Sequence, residues 1–193
     1  MWTEGEPIVR CHDGRYGATE FNPGLGAGRF HPFLAGGRYV PTIYGSSDLE
    51  GALSETLFHD VPVETGLRAI DRSVLRPLLV SVIAARRPLR FAQLHSAGLG
   101  RLGLRRAELI DSEASAYSAT ALWARALHAC AERFDGLVWI SRQNDTSRAI
   151  VLFGDRVERR DLEMIEPPMP LYLGPGYAKV LAVAESAGIG VLD

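Results

Sequence analysis

The chain is poor in the features by which metal, phosphate and serine-hydrolase sites usually declare themselves. It has 193 residues and two cysteines, Cys11 and Cys130, too far apart to form a metal-spaced pair. Its five histidines (His12, His31, His59, His95 and His128) show no i,i+4 pairing and no cysteine partners at ligand spacing. No metal centre is therefore expected. Sparse, unpatterned cysteine fits a reducing compartment and leaves a single disulfide open. Gly24, Gly26 and Gly28 alternate, but no Lys-Ser/Thr follows them and no helix starts there, so a phosphate loop is not read. There is no Gly-x-Ser-x-Gly elbow for a serine nucleophile. Excess charge is lacking too: 21 basic residues face 23 acidic ones for a net charge of −2, which argues against non-specific nucleic-acid binding. No run approaches the ~18 apolar residues of a membrane span. The N-terminus has neither a basic head nor an apolar stretch of the signal-peptide kind. A cytoplasmic protein with no membrane association is expected.

What is present reads as one α+β domain over residues 1–193, without internal repeats. Residues 7–11 alternate as a short strand with Ile8 and Arg10 on one face and Val9 on the other. Residues 13–33 are rich in Gly, Pro and Asn, an irregular segment of a length that is often functional. A strand is expected over 38–44 and a helix over 48–59. Ser47 and Glu50 offer a capping box for that helix, and Leu49, Ala52, Leu53, Thr56 and Leu57 form its buried stripe. Glu55 falls beside Ala52, on the rim of the stripe. Further strands are read at 77–84, 89–94, 136–140 and 149–153, the last two as a hairpin-like pair. Residues 97–104 read as a glycine-punctuated loop, 115–133 as a largely buried helix and 157–165 as an edge strand. Pro167, Pro168 and Pro170 are expected to break the chain before a helix over 176–187.

The residue types that remain as chemical candidates are Arg10, Arg29, Tyr44, Glu55 and Ser141. Arginine presents a fixed fork of donors that suits a diphosphate. Tyr44, between a strand and a helix, can stack on a planar heterocycle. A carboxylate such as Glu55 can stabilise a sugar that becomes positive as a glycosidic bond breaks, or orient the attacking nucleophile. Ser141 can hydrogen-bond a ribose hydroxyl or a phosphate oxygen. Each also has a plainer role: Arg29 as a bridge between loops, Tyr44 as packing, Glu55 as the i,i+4 partner of His59, and Ser141 as a turn residue.

Their order along the chain resembles the RES-domain family, NAD-degrading toxins of bacterial toxin–antitoxin operons. Val9-Arg10 corresponds to the family's first arginine, with Arg15 (followed by Tyr16) as the alternative. Phe21-Asn22-Pro23 with Gly26-Ala27-Gly28-Arg29-Phe30 is similar to its Gly-Gly-Arg element, although Phe30-His31-Pro32 replaces the commoner Trp-Asn. Thr42-Ile43-Tyr44 and Ala52-Leu53-Ser54-Glu55-Thr56 correspond to the tyrosine strand and the glutamate helix. The run from Phe134 through Ile140 to Ser141, followed by Ala149-Ile150-Val151-Leu152-Phe153, corresponds to the serine end. The resemblance spans about residues 7–155. It implies an ADP-ribosyltransferase-like fold, a mixed sheet surrounded by helices. It also implies an NAD glycohydrolase or NAD phosphorylase, with no resident cofactor and with inorganic phosphate as a candidate co-substrate. Glu55, Arg29 and Ser141 would be catalytic, and Arg10, Arg29, Tyr44 and Ser141 would bind NAD. An Xre-like antitoxin would be the partner, in a hetero-oligomer. Protein ADP-ribosylation and a non-catalytic binding module are the alternatives.

Overall fold

A computed structural model describes residues 1–59, 61 and 68–193. Seven strands, β1 (Pro7–Asp13), β4 (Thr42–Ser46), β6 (Leu78–Ala85), β7 (Phe91–Gln93), β8 (Gly136–Ile140), β9 (Arg148–Phe153) and β10 (Leu162–Pro170), form one mixed sheet. Their order across it is β10-β6-β1-β4-β9-β8-β7. All neighbours are antiparallel except β7 and β8. Two small pairs stand apart: β2 (Leu34–Ala35) with β3 (Arg38–Tyr39), and β5 (Ala69–Asp71) with β11 (Gly190–Leu192). The helices are α1 (Leu49–Thr56), α2 (Ser96–Arg101), α3 (Arg106–Leu109), α4 (Tyr117–Ala129) and α5 (Gly174–Ser186). Among the described residues no helix is long and apolar enough to cross a membrane, and both cysteines are free.

The register decides what each face of the sheet carries. Val9 pairs with Ser46, Ser46 with Ala149, and Ala149 with Trp139, so these four share a face. Alternation adds Cys11, Tyr44, Val151 and Leu137 to it. The opposite face holds Ile8, Ile43, Ile83, Val138, Ile150 and Leu152 in one core with Trp2. The first face carries two cores instead of one. Phe30, Phe33, Leu137, Trp139, Val151 and Phe153 pack with Ala124 of α4. Leu53 of α1, Val80 of β6 and Val180 of α5 pack in the second. The ground between the two cores lies over Cys11, Tyr44 and Trp139.

Several local expectations change in three dimensions. The strand expected over 38–44 is split at Val40-Pro41, because Pro41 has no N–H to continue a ladder. Its first part is a two-residue hairpin closed by Gly36 and Gly37, both at positive φ (57° and 79°). The cap of α1 is Asp48, not Ser47. Asp48 Oδ1 accepts from Gly51 N at 2.7 Å and from Ser147 Oγ at 2.5 Å, while Ser47 Oγ donates to Asp48 Oδ2. The helix is shorter than its pattern, ending at Thr56.

Residues 96–101 form a helix, not the expected loop. A Cβ at Gly98 would lie 1.7 Å from the Gln93 carbonyl oxygen, so this glycine permits close packing and does not mark a turn. Gly103 at φ 70° ends that helix. The helix expected over 115–133 is confined to Tyr117–Ala129, with Thr120, Ala121, Ala124 and His128 buried. The edge strand lies at Leu162–Pro170, and the three prolines sit inside it rather than ending it. Among the described residues β10 pairs only with β6, with register shifts around Glu166, and an irregular edge strand tolerates missing donors.

Candidate active site

A cavity of about 370 Å³ opens between the two cores. Cys11, Tyr44 and Trp139 of the sheet line it, with Gly28, Arg29 and His31 on one side and Ala52, Glu55 and Thr56 of α1 on the other. The approach of α1 depends on Gly51, where a Cβ would lie 2.1 Å from Ser46 Oγ and 2.6 Å from Ser147 Cβ. Glu55 follows one turn later on the same helix face, so the close approach of Gly51 aims Glu55 at the cavity.

Arg29 is held from two sides. Thr120 Oγ of α4 donates to its carbonyl. The next residue, Phe30, donates its N–H to Tyr44 Oη at 3.0 Å. The Tyr44 hydroxyl also meets His31 Nδ1 at 3.1 Å, and the two rings are 5.2 Å apart. Burial pushes the Tyr44 phenol well up and holds the His31 imidazole below its usual range. Both groups therefore stay neutral, with the phenol as donor and the imidazole as acceptor. No side chain fits at Gly28, where a Cβ would fall 2.4 Å from the His31 ring.

The Arg29 side chain is 6% exposed and that of Glu55 13%. Arg29 Nη1 lies 3.4 Å from Glu55 Oε2, long for a charge-assisted bond of roughly 2.7–2.9 Å. Glu55 Oε1 accepts from Arg142 N at 3.3 Å. The guanidinium sits 5.7 Å from the Tyr117 ring centroid. Among the described residues its Nε is buried without a hydrogen-bond partner, as is the indole N–H of Trp139. Buried donors of this kind normally find acceptors. The cavity is thus lined by a buried guanidinium, a carboxylate and an aromatic floor.

The structure brings Arg29, Tyr44 and Glu55 together and leaves Arg10 elsewhere. Arg10 alternates with Cys11 and lies on the opposite face of the sheet, lining a different cavity with His12 and Glu20. Its Nη1 donates to the carbonyls of Gly17 and Ala18 at 3.1 and 2.7 Å, tying down the irregular segment. Burial lowers the Arg10 guanidinium to about 10. Arg15, the alternative, is 79% exposed and paired with Asp13. Neither arginine lines the Arg29–Glu55 cavity.

Ser141 does not line that cavity either, but it borders it in sequence. Its neighbour Arg142 donates its N–H to Glu55, its carbonyl accepts from Arg106 Nη2 at 2.9 Å, and its buried hydroxyl has no partner among the described residues. Trp139 and Tyr117 emerge as lining residues that the sequence presents only as apolar members of a strand and a helix. Nothing in a single strand or helix reveals which apolar ring will floor a cavity.

A family model described as the RES domain matches residues 7–172. The fold is similar to a chain in the crystal structure of the M. tuberculosis MbcT–MbcA toxin–antitoxin complex. The TM-score is 0.64 at 17% identity, covering 93% of this chain and 90% of that one. No curated protein matches the sequence.

Proposed function

The chain belongs to the RES domain family, and from that premise we propose that it is a toxin that cleaves the bond between nicotinamide and ribose in NAD. The observation that carries this reading is the buried Arg29 guanidinium, in loose contact with the Glu55 carboxylate at 3.4 Å on the wall of a cavity floored by Tyr44 and Trp139. Arg29 supplies donors to the diphosphate oxygens, and its contact with Glu55 is loose enough to be rearranged by a ligand. The aromatic floor accepts the nicotinamide ring. When the C1′–N bond breaks, its electron pair returns to the pyridinium nitrogen and neutralises it, so the leaving group needs little help. The positive charge that develops on the ribose is what Glu55 stabilises. The new C1′–O bond forms to water, which gives a proton to solvent, or to inorganic phosphate. Ser141 acts at the border of this site by holding the Arg142 amide against Glu55.

Destroying a central metabolite requires restraint in the host cell. The similarity to a chain from a toxin–antitoxin complex supports restraint by a partner protein, which we assign to an Xre-like antitoxin in a hetero-oligomer. The test is to incubate purified protein with NAD, with and without phosphate, and to follow nicotinamide. Release with ADP-ribose or its 1″-phosphate is the expected result, the product telling hydrolysis from phosphorolysis. Label transferred to a protein would instead make the chain an ADP-ribosyltransferase. No release and no label from folded protein would refute the reading and leave a binding module. Co-expression with an Xre-like antitoxin should relieve toxicity and yield a co-purifying complex.

A further inference from the structure

Outside the Arg29–Glu55 cavity runs a groove of about 390 Å³ between α4 and the β2–β3 hairpin. It shares Ala27, His31 and Tyr117 with the cavity, so the two are continuous. The cavity around Arg10 shares only Asn22, whose side chain is held by Gly24, Leu25 and the Leu25 carbonyl. Resting on the NAD reading, we propose that the groove is the subsite for the adenosine half of the dinucleotide, with Arg125 as the contact for a phosphate on its ribose.

Three features support the assignment. The first is size: a cavity of about 370 Å³ is near the lower end of the roughly 300–1,000 Å³ of ligand sites, enough for one nucleoside half and not for both. The second is the lining. Leu34, Tyr39 and Leu122 are 43%, 54% and 61% exposed around the one groove, a slot of apolar and aromatic walls suited to a flat heterocycle. The third is charge and reach. Tyr117, Ala121 and Arg125 follow one another at four-residue spacing along α4, so Arg125 stands two turns, about 12 Å, from the ring beside Arg29. Arg125 makes no hydrogen bond or ion pair among the described residues. Arg29 thus serves the diphosphate at the near end, and Arg125 offers an uncommitted cation at the far end. An adenosine 2′-phosphate fits that position, so a 2′-phosphorylated dinucleotide is a substrate as well.

The assignment is tested by comparing kcat/KM for NAD, NADP and nicotinamide mononucleotide in the wild type, Leu122→Asp and Arg125→Glu. Both positions are exposed on α4, so folding is not at stake. Leu122→Asp should lower the ratio of NAD to mononucleotide efficiency by about tenfold or more, mainly through KM. Arg125→Glu should depress NADP about tenfold more than NAD, because charge reversal turns attraction into repulsion. Ratios equal to the wild type's in both variants would overturn the groove assignment while leaving NAD cleavage standing. Calorimetry with adenosine 2′,5′-bisphosphate separates the two ideas. Binding by the wild type that is lost in Arg125→Glu supports the groove even if no nicotinamide is released. No binding, or equal binding by both proteins, overturns it.

Discussion

Replacing Glu55 by glutamine isolates the carboxylate charge from its shape. Its two oxygens meet Arg29 Nη1 at 3.4 Å and Arg142 N at 3.3 Å, and the side chain is almost enclosed. In such a setting a unit charge about 5 Å away interacts with about 3 kcal/mol at an effective dielectric of about 20. Glutamine removes that attraction to the developing ribosyl cation, which at about 1.4 kcal/mol per decade is a loss of about 10²–10³ in kcat. It also turns an NH2 group toward one of two donors. The cost to folding should be only about 1–2 kcal/mol, since both contacts are long and Arg29 keeps the Tyr117 ring. Domains of this kind are stable by about 5–15 kcal/mol, so the variant stays folded. The assay is nicotinamide release from NAD at saturation, with a thermal melt alongside. Wild-type turnover by a folded Glu55→Gln protein would refute the role given to this residue.

Arg29→Lys keeps the charge but loses the fork and the Nε donor, so NAD should bind at least about tenfold more weakly to a Glu55→Gln background; calorimetry showing equal affinity would return Arg29 to a loop-bridging role. Gly51→Ala puts a methyl group against Ser46 and Ser147, so urea melts should show a loss of about 1–3 kcal/mol, and activity should fall as α1 lifts; an unchanged midpoint would mean that α1 does not need this approach. His12, His31 and His95 are all held below the ordinary histidine value of 6.5 by burial, with Arg10 adding repulsion at His12. The unfolded chain therefore binds more protons than the folded one below pH 6.5, so stability is full above that pH and falls as the pH drops below it. Melts should record this, with a shallower fall in His12→Gln, and a midpoint flat or rising toward acid would contradict it.

The sheet strands at 7–11, 136–140 and 149–153 were legible because alternation and β-branched content act over a few residues. The order Arg29, Tyr44, Glu55, Ser141 was legible as a resemblance, and the rim position of Glu55 followed from helical spacing alone. Local signals misled where a distant group intervened. Asp48 displaced Ser47 as the cap because Ser147, far along the chain, also binds it. Gly98 looks like a loop glycine until the Gln93 carbonyl is seen beneath it. The β10 prolines look like a break until the strand is found at the sheet edge.

Alternation along β1 already placed Arg10 opposite Val9. Only the pairing of β1 with β4, and of β4 with β9, revealed that the Val9 and Cys11 face is the one that carries Tyr44 and Trp139. Local periodicity established most of the strands and helices and the side-chain chemistry they could offer. Which of those side chains meet was set by strand register and by the gap between two cores, because neither is encoded within any one segment.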